Sequence, residues 1–219
     1  MSENILLVGS GAREHSIAKA INRSTNLNDM FCLASNINPG IASLCKEFIV
    51  DDFNNPETVS SYATKNNISM AVIGPENPLQ NGVVDSLWNL GVGVVGPKKD
   101  LAQIETSKTF TRNLLKKHNI PGGPKYKTFK SLDGVKDFLK ELDENYVVKF
   151  DGLAGGKGVK VSGDHLASHE EALEYCKELI SKSQPFIIEE KFIGQEFSLM
   201  SFCDGKTLKH MPAVQDHKR

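Results

Sequence analysis

The chain has 219 residues, with 26 basic against 27 acidic side chains and a net charge of -1. That length exceeds a typical domain of roughly 100–150 residues, so two modest lobes are expected, each burying its own core. A balanced charge gives no overall attraction to a nucleic-acid backbone or an anionic membrane, which favours small-molecule partners over either.

No apolar run approaches the roughly 20 residues that a membrane-spanning helix needs, and Met1-Ser2-Glu3-Asn4 passes straight into Ile5-Leu6-Leu7-Val8 without a leader pattern. A cytoplasmic location is expected. Cys32, Cys45, Cys176 and Cys203 fit no metal-binding spacing and sit among apolar neighbours, as reduced and mostly buried thiols would.

The first hundred residues alternate short apolar runs with helical patterns: strands at Ile5–Val8, Met30–Ala34, Met70–Gly74 and Val92–Val95, helices at Ala12–Ile21, Pro56–Lys65 and Val83–Leu90. Such alternation predicts a parallel α/β sheet. Ile5–Val8 and Met70–Ile73 are continuous apolar runs, which suits central strands buried on both faces. Gly96-Pro97 ends this lobe, a helix at Ser107–His118 follows, and Pro121-Gly122-Gly123-Pro124 closes it.

A smaller α+β unit then reads strand Lys125–Phe129, helix Ser131–Leu142, strand Tyr146–Phe150, a glycine loop, strand Val159–Ser162, helix Ser168–Ser181 and strand Phe186–Glu190. Glu196–Cys203 and Thr207–Met211 flank Asp204-Gly205, a hairpin signal. The expected organisation is a parallel-sheet domain at 1–102, a linking helical segment at 103–120, a small subdomain at 121–190 and the start of a further subdomain at 191–219.

Gly9-Ser10-Gly11-Ala12-Arg13-Glu14-His15 lies between the first strand and the first helix, where backbone N–H groups and the helix dipole favour an anion such as a phosphate. A dinucleotide fingerprint would want glycine where Glu14 stands and an acidic residue where Ser35-Asn36 stand, which disfavours NAD. Arg13 and His15 either add charge to a phosphate site or face solvent as ordinary first-turn residues. Gly74-Pro75-Glu76 ends a buried strand at the sheet edge where α/β folds bind ligands; Glu76 either holds a ligand group there or belongs to a plain turn.

Asp151-Gly152-Leu153-Ala154-Gly155-Gly156-Lys157-Gly158 lacks the Walker A spacing and leads into a strand instead of a helix, which argues against a P-loop. Its glycines suit a loop that approaches phosphates and closes over them, or a simple hairpin turn. Lys149 precedes it on an apolar strand, where an ammonium needs an anionic partner, and a nucleotide phosphate would supply one. Glu189-Glu190 end another apolar strand, a pattern of surface residues unless a ligand lies across them.

Together, Gly9–His15, Gly74–Leu79, Val147–Gly158, Ile187–Glu190 and Gln215-Asp216-His217-Lys218-Arg219 resemble, in order and spacing, the phosphoribosylamine–glycine ligase family of the ATP-grasp superfamily. The resemblance covers essentially the whole chain. It implies a parallel-sheet pre-ATP-grasp domain with a substrate role at 1–102, followed by an incomplete ATP-grasp domain with a lid role at 121–190, and a reaction in which glycine, ATP and 5-phosphoribosylamine give glycinamide ribonucleotide, ADP and phosphate. A glycyl phosphate would be the intermediate, in de novo purine synthesis. No enzyme nucleophile is needed, in agreement with the lack of any Ser/His/Asp or Cys/His arrangement in the sequence.

By the same resemblance Lys108, Lys149 and Lys157 face the phosphates, with Lys149 and Lys157 catalytic and Gly155, Gly156 and Gly158 completing the lid. Glu189, Glu190, Lys191, Phe192 and Ile193 match the adenine-contacting segment, and Glu196 the acid that holds the ribose. Gly9, Gly11, Arg13, Glu14, His15, Glu76 and Asp216 match the phosphoribosyl and glycine side. The family's spelling APGNAGTA reads Ala34-Ser35-Asn36-Ile37-Asn38-Pro39-Gly40-Ile41-Ala42 here, a turn in which substrate contacts are expected to be rearranged. Family members run to about twice this length. The metal ligands for Mg2+ or Mn2+ are therefore expected outside these 219 residues, with catalytic silence of this chain alone and exposed apolar surface near its end. Another purine-pathway ATP-grasp ligase, or a nucleotide-binding module without turnover, are the alternative readings.

Overall fold

The computed structural model describes residues 2–153 and 158–215. The first lobe runs β1 (Glu3–Val8), α1 (Ala12–Ile21), β2 (Leu27–Ala34), α2 (Pro39–Ala42), β3 (Glu47–Val50), α3 (Pro56–Lys65), β4 (Met70–Ile73), α4 (Glu76–Asn81), α5 (Val83–Asn89) and β5 (Gly93–Val95). Among the described residues these strands form a five-stranded sheet in the order β3-β2-β1-β4-β5, with every pairing parallel.

The apolar runs read from the sequence are the centre of this sheet. Leu6 and Val8 of β1 pack on one face with Val59 of α3 and Val84 and Leu87 of α5. Leu7 packs on the other with Ala18 of α1 and Ile41 of α2. All three β1 side chains are fully buried, each contributing about 1.5–3 kcal/mol. Asn38 and Asn55 cap α2 and α3 through side-chain oxygens, each followed by a proline at the first helical position.

The order has a functional consequence. From β1 the chain winds outward through β2 and β3, then crosses back to β4 and β5. The turns after β1 and β4 therefore diverge to opposite sides and leave a crevice at their carboxyl ends, the place where such sheets take ligands.

Two helices follow, α6 (Lys99–Thr106) and α7 (Lys108–Lys117), and α6 runs across the domain limit expected at residue 102. The second lobe comprises β6 (Tyr126–Phe129), α8 (Val135–Leu142), β7 (Tyr146–Phe150), β8 (Val159–Val161), α9 (His169–Ser181) and β9 (Phe186–Glu190). Its strands pair antiparallel in the order β6-β9-β7-β8. Tyr146 and Val148 of β7 and Phe186 and Ile188 of β9 share a core with Phe138 and Leu139 of α8 and Cys176 and Leu179 of α9. Strand alternation sends Val147, Lys149, Ile187 and Glu189 to the opposite face.

The helix expected from Ser131 starts only at Val135, because Gly134 before it sits at φ +75°. The final hairpin is shorter than its sequence pattern, β10 (Ser201–Cys203) with β11 (Leu208–His210). Its Asp204-Gly205 tip is as expected, the Asp204 carboxylate accepting from the N–H groups of Lys206 at 2.9 Å and Thr207 at 2.7 Å. Phe197, Met200, Phe202, Leu208 and Met211 are exposed along it. Cys32 and Cys176 are buried as expected, Cys45 is half-buried, and Cys203 is exposed on the hairpin. No helix among the described residues is long and apolar enough to cross a membrane.

Candidate functional site

The crevice between β1 and β4 is lined by the first glycine turn. Gly9 at φ +115° lets the chain leave β1 sharply, a conformation that side chains rarely adopt. Ser10 Oγ donates to Asn36 Oδ1 at 2.6 Å, and Asn38 Nδ2 donates to the Ser10 carbonyl at 2.9 Å, so the turn after β2 is tied to the turn after β1. Arg13 Nη1 and Glu76 Oε1 face each other across the crevice at 3.9 Å, with the Arg13 side chain 83% exposed. The His15 imidazole lies against Gly40, where an added Cβ would come within 2.5 Å of Nε2.

Glu14 is buried, its Oε2 accepting the Gly11 N–H at 2.6 Å. A helix begins with N–H groups that no turn of its own can satisfy, and a carboxylate is a good acceptor there. Gly9, Gly11 and Gly74 leave the space that this side chain fills. Gly9, Gly11 and Gly74 thus border the Glu14 side chain, Arg13 and Glu76 stand near one another, and His15 lies against Gly40.

The second lobe concentrates charge on the face of β7 and β9 opposite its helices. Lys149 Nζ donates to Glu189 Oε2 at 2.6 Å. From α7, Arg112 Nε donates to Glu189 Oε1 at 2.6 Å and Nη2 to Oε2 at 3.2 Å. Burial works against the Glu189 carboxylate and pushes its pKa up. Arg112 and Lys149 outweigh that and hold it below the ordinary carboxylate value.

The partner that Lys149 was expected to find in a phosphate is therefore already present in Glu189. Two cations against one anion still leave the group net positive. The Glu189 carboxylate is 1% exposed and held by both cations, which leaves its backbone as the part that can meet a base.

The start of α7 is fastened to the base of the second glycine loop. Asp151 Oδ1 accepts from Ser107 Oγ at 3.3 Å and from the Thr109 N–H at 3.2 Å. Lys108 Nζ donates to the Gly152 carbonyl at 3.0 Å. Burial lowers the Lys108 pKa and nearby Asp151 partly restores it. Lys108 thus stands at the base of the loop, and Arg112, one helical turn on, joins it unannounced by any motif.

Glu190 Oε2 accepts the Lys125 N–H at 3.1 Å. Lys191 Nζ donates to the Ser162 carbonyl at 2.9 Å and lies 3.5 Å from Asp164 Oδ2. Phe192 and Ile193 are 62% and 85% exposed. Glu196 lines an open hollow of about 390 Å³ with Phe197 and Val214. The Gly158 carbonyl accepts the Phe150 N–H at 2.8 Å, at the far end of the loop. Gly155, Gly156, Lys157 and Asp216 lie outside the described residues.

Comparison with known proteins spans the chain end to end. A family model described as phosphoribosylglycinamide synthetase, N domain, matches residues 3–105, and one described as phosphoribosylglycinamide synthetase, ATP-grasp (A) domain, matches residues 106–219. Phosphoribosylamine–glycine ligase of Methanosarcina barkeri is 48% identical over 215 residues, which are 98% of this chain and 49% of that protein. The ligase of the same name from Methanosphaera stadtmanae is 46% identical over 217 residues, 97% of this chain and 49% of that one. The chain spans about half the length of the curated relatives it matches.

Among solved structures, phosphoribosylamine–glycine ligase of Thermotoga maritima superposes with a TM-score of 0.77 at 25% identity, over 99% of this chain and 51% of that one. An ADP complex of N5-carboxyaminoimidazole ribonucleotide synthetase gives a TM-score of 0.76 at 16% identity, over 100% of this chain and 55% of that one, a likeness of fold.

Proposed function

The chain belongs to the phosphoribosylglycinamide synthetase family, and from that premise we propose that it carries the nucleotide-phosphate and sugar-phosphate sites of an enzyme that joins glycine to 5-phosphoribosylamine. The products are glycinamide ribonucleotide, ADP and phosphate, made in the cytoplasm as a step of purine synthesis. The observation that carries the reading is the net positive group of Lys149, Arg112 and Glu189, set with Lys108 at the base of a glycine-rich loop.

In the reaction a glycine carboxylate oxygen attacks the terminal phosphorus of ATP and ADP leaves, giving glycyl phosphate. The amine of the sugar then attacks the acyl carbon and inorganic phosphate leaves. Negative charge builds on the phosphoryl oxygens in the first step and on the departing phosphate in the second. Fixed cations in a partly dry site stabilise both without further reorganisation.

Lys149 and Lys108 are assigned to this work, with Lys157 and Gly155, Gly156 and Gly158 closing over the phosphates. Arg13, His15 and the turn at Gly9 and Gly11 are assigned to the phosphate of the sugar, and Glu76 to its amine or to glycine. Glu190 to Ile193 and Glu196 take the adenine and ribose. Magnesium, when bound, would supply charge neutralisation to the ATP phosphates. No three His, Cys, Asp or Glu side chains gather among the described residues, and none of them is assigned to the metal.

The test is a thermal-shift titration with ATP, glycine and a stable analogue of glycinamide ribonucleotide. A ligand that binds only the folded protein raises its melting temperature, by about 2.7 kcal/mol of added stability at a hundredfold excess over Kd. Shifts with ATP and with the glycinamide analogue are expected. A shift with a carboxyaminoimidazole ribonucleotide and none with the glycinamide compound would overturn the choice of substrate.

A further inference from the structure

Arg112 belongs to none of the sequence motifs, yet its contact to Glu189 is as short as that of Lys149, 2.6 Å in each case. The three side chains form a graded set: Glu189 is 1% exposed, while Arg112 and Lys149 are 23% and 24% exposed. An Arg112–Glu189 pair alone would be enough to hold α7 against the sheet, and that role needs no third charge. A Lys149–Glu189 pair alone would be neutral and would offer a phosphate little.

We propose that Arg112 is a positioning residue for the nucleotide: by engaging Glu189 with two N–H groups it offsets that carboxylate and keeps the positive charge of Lys149 available to the phosphates of ATP. The proposal rests on the ATP reading above. Arginine suits the task because its planar guanidinium presents Nε–H and Nη2–H to one carboxylate and stays charged at any working pH. The Lys149 ammonium has three donors and Glu189 takes one, so two remain for other acceptors. Without Arg112, the buried carboxylate 2.6 Å from Lys149 would cancel its charge in a partly dry environment where such effects are weakly screened.

ATP affinity, measured by calorimetry, tests this with charge-compensating variants. Arg112→Leu is expected to weaken ATP binding about tenfold, and Arg112→Leu/Glu189→Gln to restore it to within about threefold. Arg112→Lys keeps the charge but loses the two-point contact, and its ATP affinity is expected to fall between those of wild type and Arg112→Leu. Glu189→Gln alone adds one positive charge and is expected to tighten ATP binding severalfold; it reads the same effect should Arg112→Leu fail to fold. Melting temperatures without nucleotide separate folding from binding.

Unchanged ATP affinity in Arg112→Leu, a double variant as weak as the single one, or no gain in Glu189→Gln overturns the proposal, leaving Arg112 as a fastening between α7 and the sheet. Failure of the ATP reading looks different: wild type binds no ATP, or Lys149→Met binds it as well as wild type does.

Discussion

Glu189→Ala is expected to destabilise the protein by roughly 3–5 kcal/mol, the usual consequence of removing one partner from a buried ion pair. The substitution leaves Arg112 and Lys149, each about three-quarters buried, facing one another with no anion between them. It also removes the Arg112–Glu189 bonds, which join segments 77 residues apart and are one of the ties between α7 and the second lobe. Denaturant unfolding of the two proteins reads the difference directly.

The same carboxylate gives this stability a pH dependence of definite sign. Its folded pKa lies below the ordinary 4.5, so the contribution is fully present above that value and is lost as the pH falls through the depressed one. The gap between wild type and Glu189→Gln is therefore expected to be constant at neutral pH and to close in acid. A gap that widened on acidification would contradict the assignment of Glu189 as ionised in the fold.

Gly74→Ala is expected to cost about 1–3 kcal/mol, as overpacking of a tight interior does, and to close the crevice at the sheet edge. The new Cβ would stand 2.5 Å from Glu14 Cγ and 2.6 Å from Cδ, with Oε1 nearer still. Glu14 is buried and holds the Gly11 N–H, so it can make way only by giving up that bond and moving into the opening between Arg13 and Glu76. Affinity for a ribose phosphate is expected to fall while the second lobe keeps its ATP affinity. Gly93→Ala is the control, because its added carbon would meet nothing closer than the Ser69 carbonyl at 3.7 Å. Equal stability and equal ribose-phosphate affinity in the two variants would show that Glu14 has somewhere else to go.

The elements that the sequence made legible are those whose local pattern and burial agree. Continuous apolar runs at Ile5–Val8 and Met70–Ile73 became adjacent strands of the parallel sheet because both faces of β1 are covered. The edge strand Glu47–Val50 was missed because it is short and only half buried, with no alternation to mark it. Helix α6 was missed because Gly96-Pro97 reads as the end of a lobe, whereas the chain resumes a helix at Lys99.

At the candidate sites the glycine turns announced themselves, but their chemistry depended on partners remote in sequence. Glu14 faces inward because Gly74, on another strand, leaves room for it. Arg112 sits on a helix with no buried residue, among three other basic side chains, and nothing local distinguishes it from them. The expectation that Lys149 needs an anion was physically sound; its resident partner is Glu189, two strand positions from the residue opposite it in the sheet. A burial argument identifies the need for a partner, while register and packing decide which partner answers it.

The central claim, that the Lys149 face of the second lobe takes the phosphates of ATP, is tested most directly by calorimetric titration of ATP into the wild-type protein and into Lys149→Met. Loss of one charge-assisted contact, worth about 1.5–3 kcal/mol, corresponds to a fall in affinity of roughly ten- to a hundredfold, and that fall is the expected result. Equal ATP affinity in the two proteins would contradict the account and leave Lys149 as a structural partner of Glu189 alone.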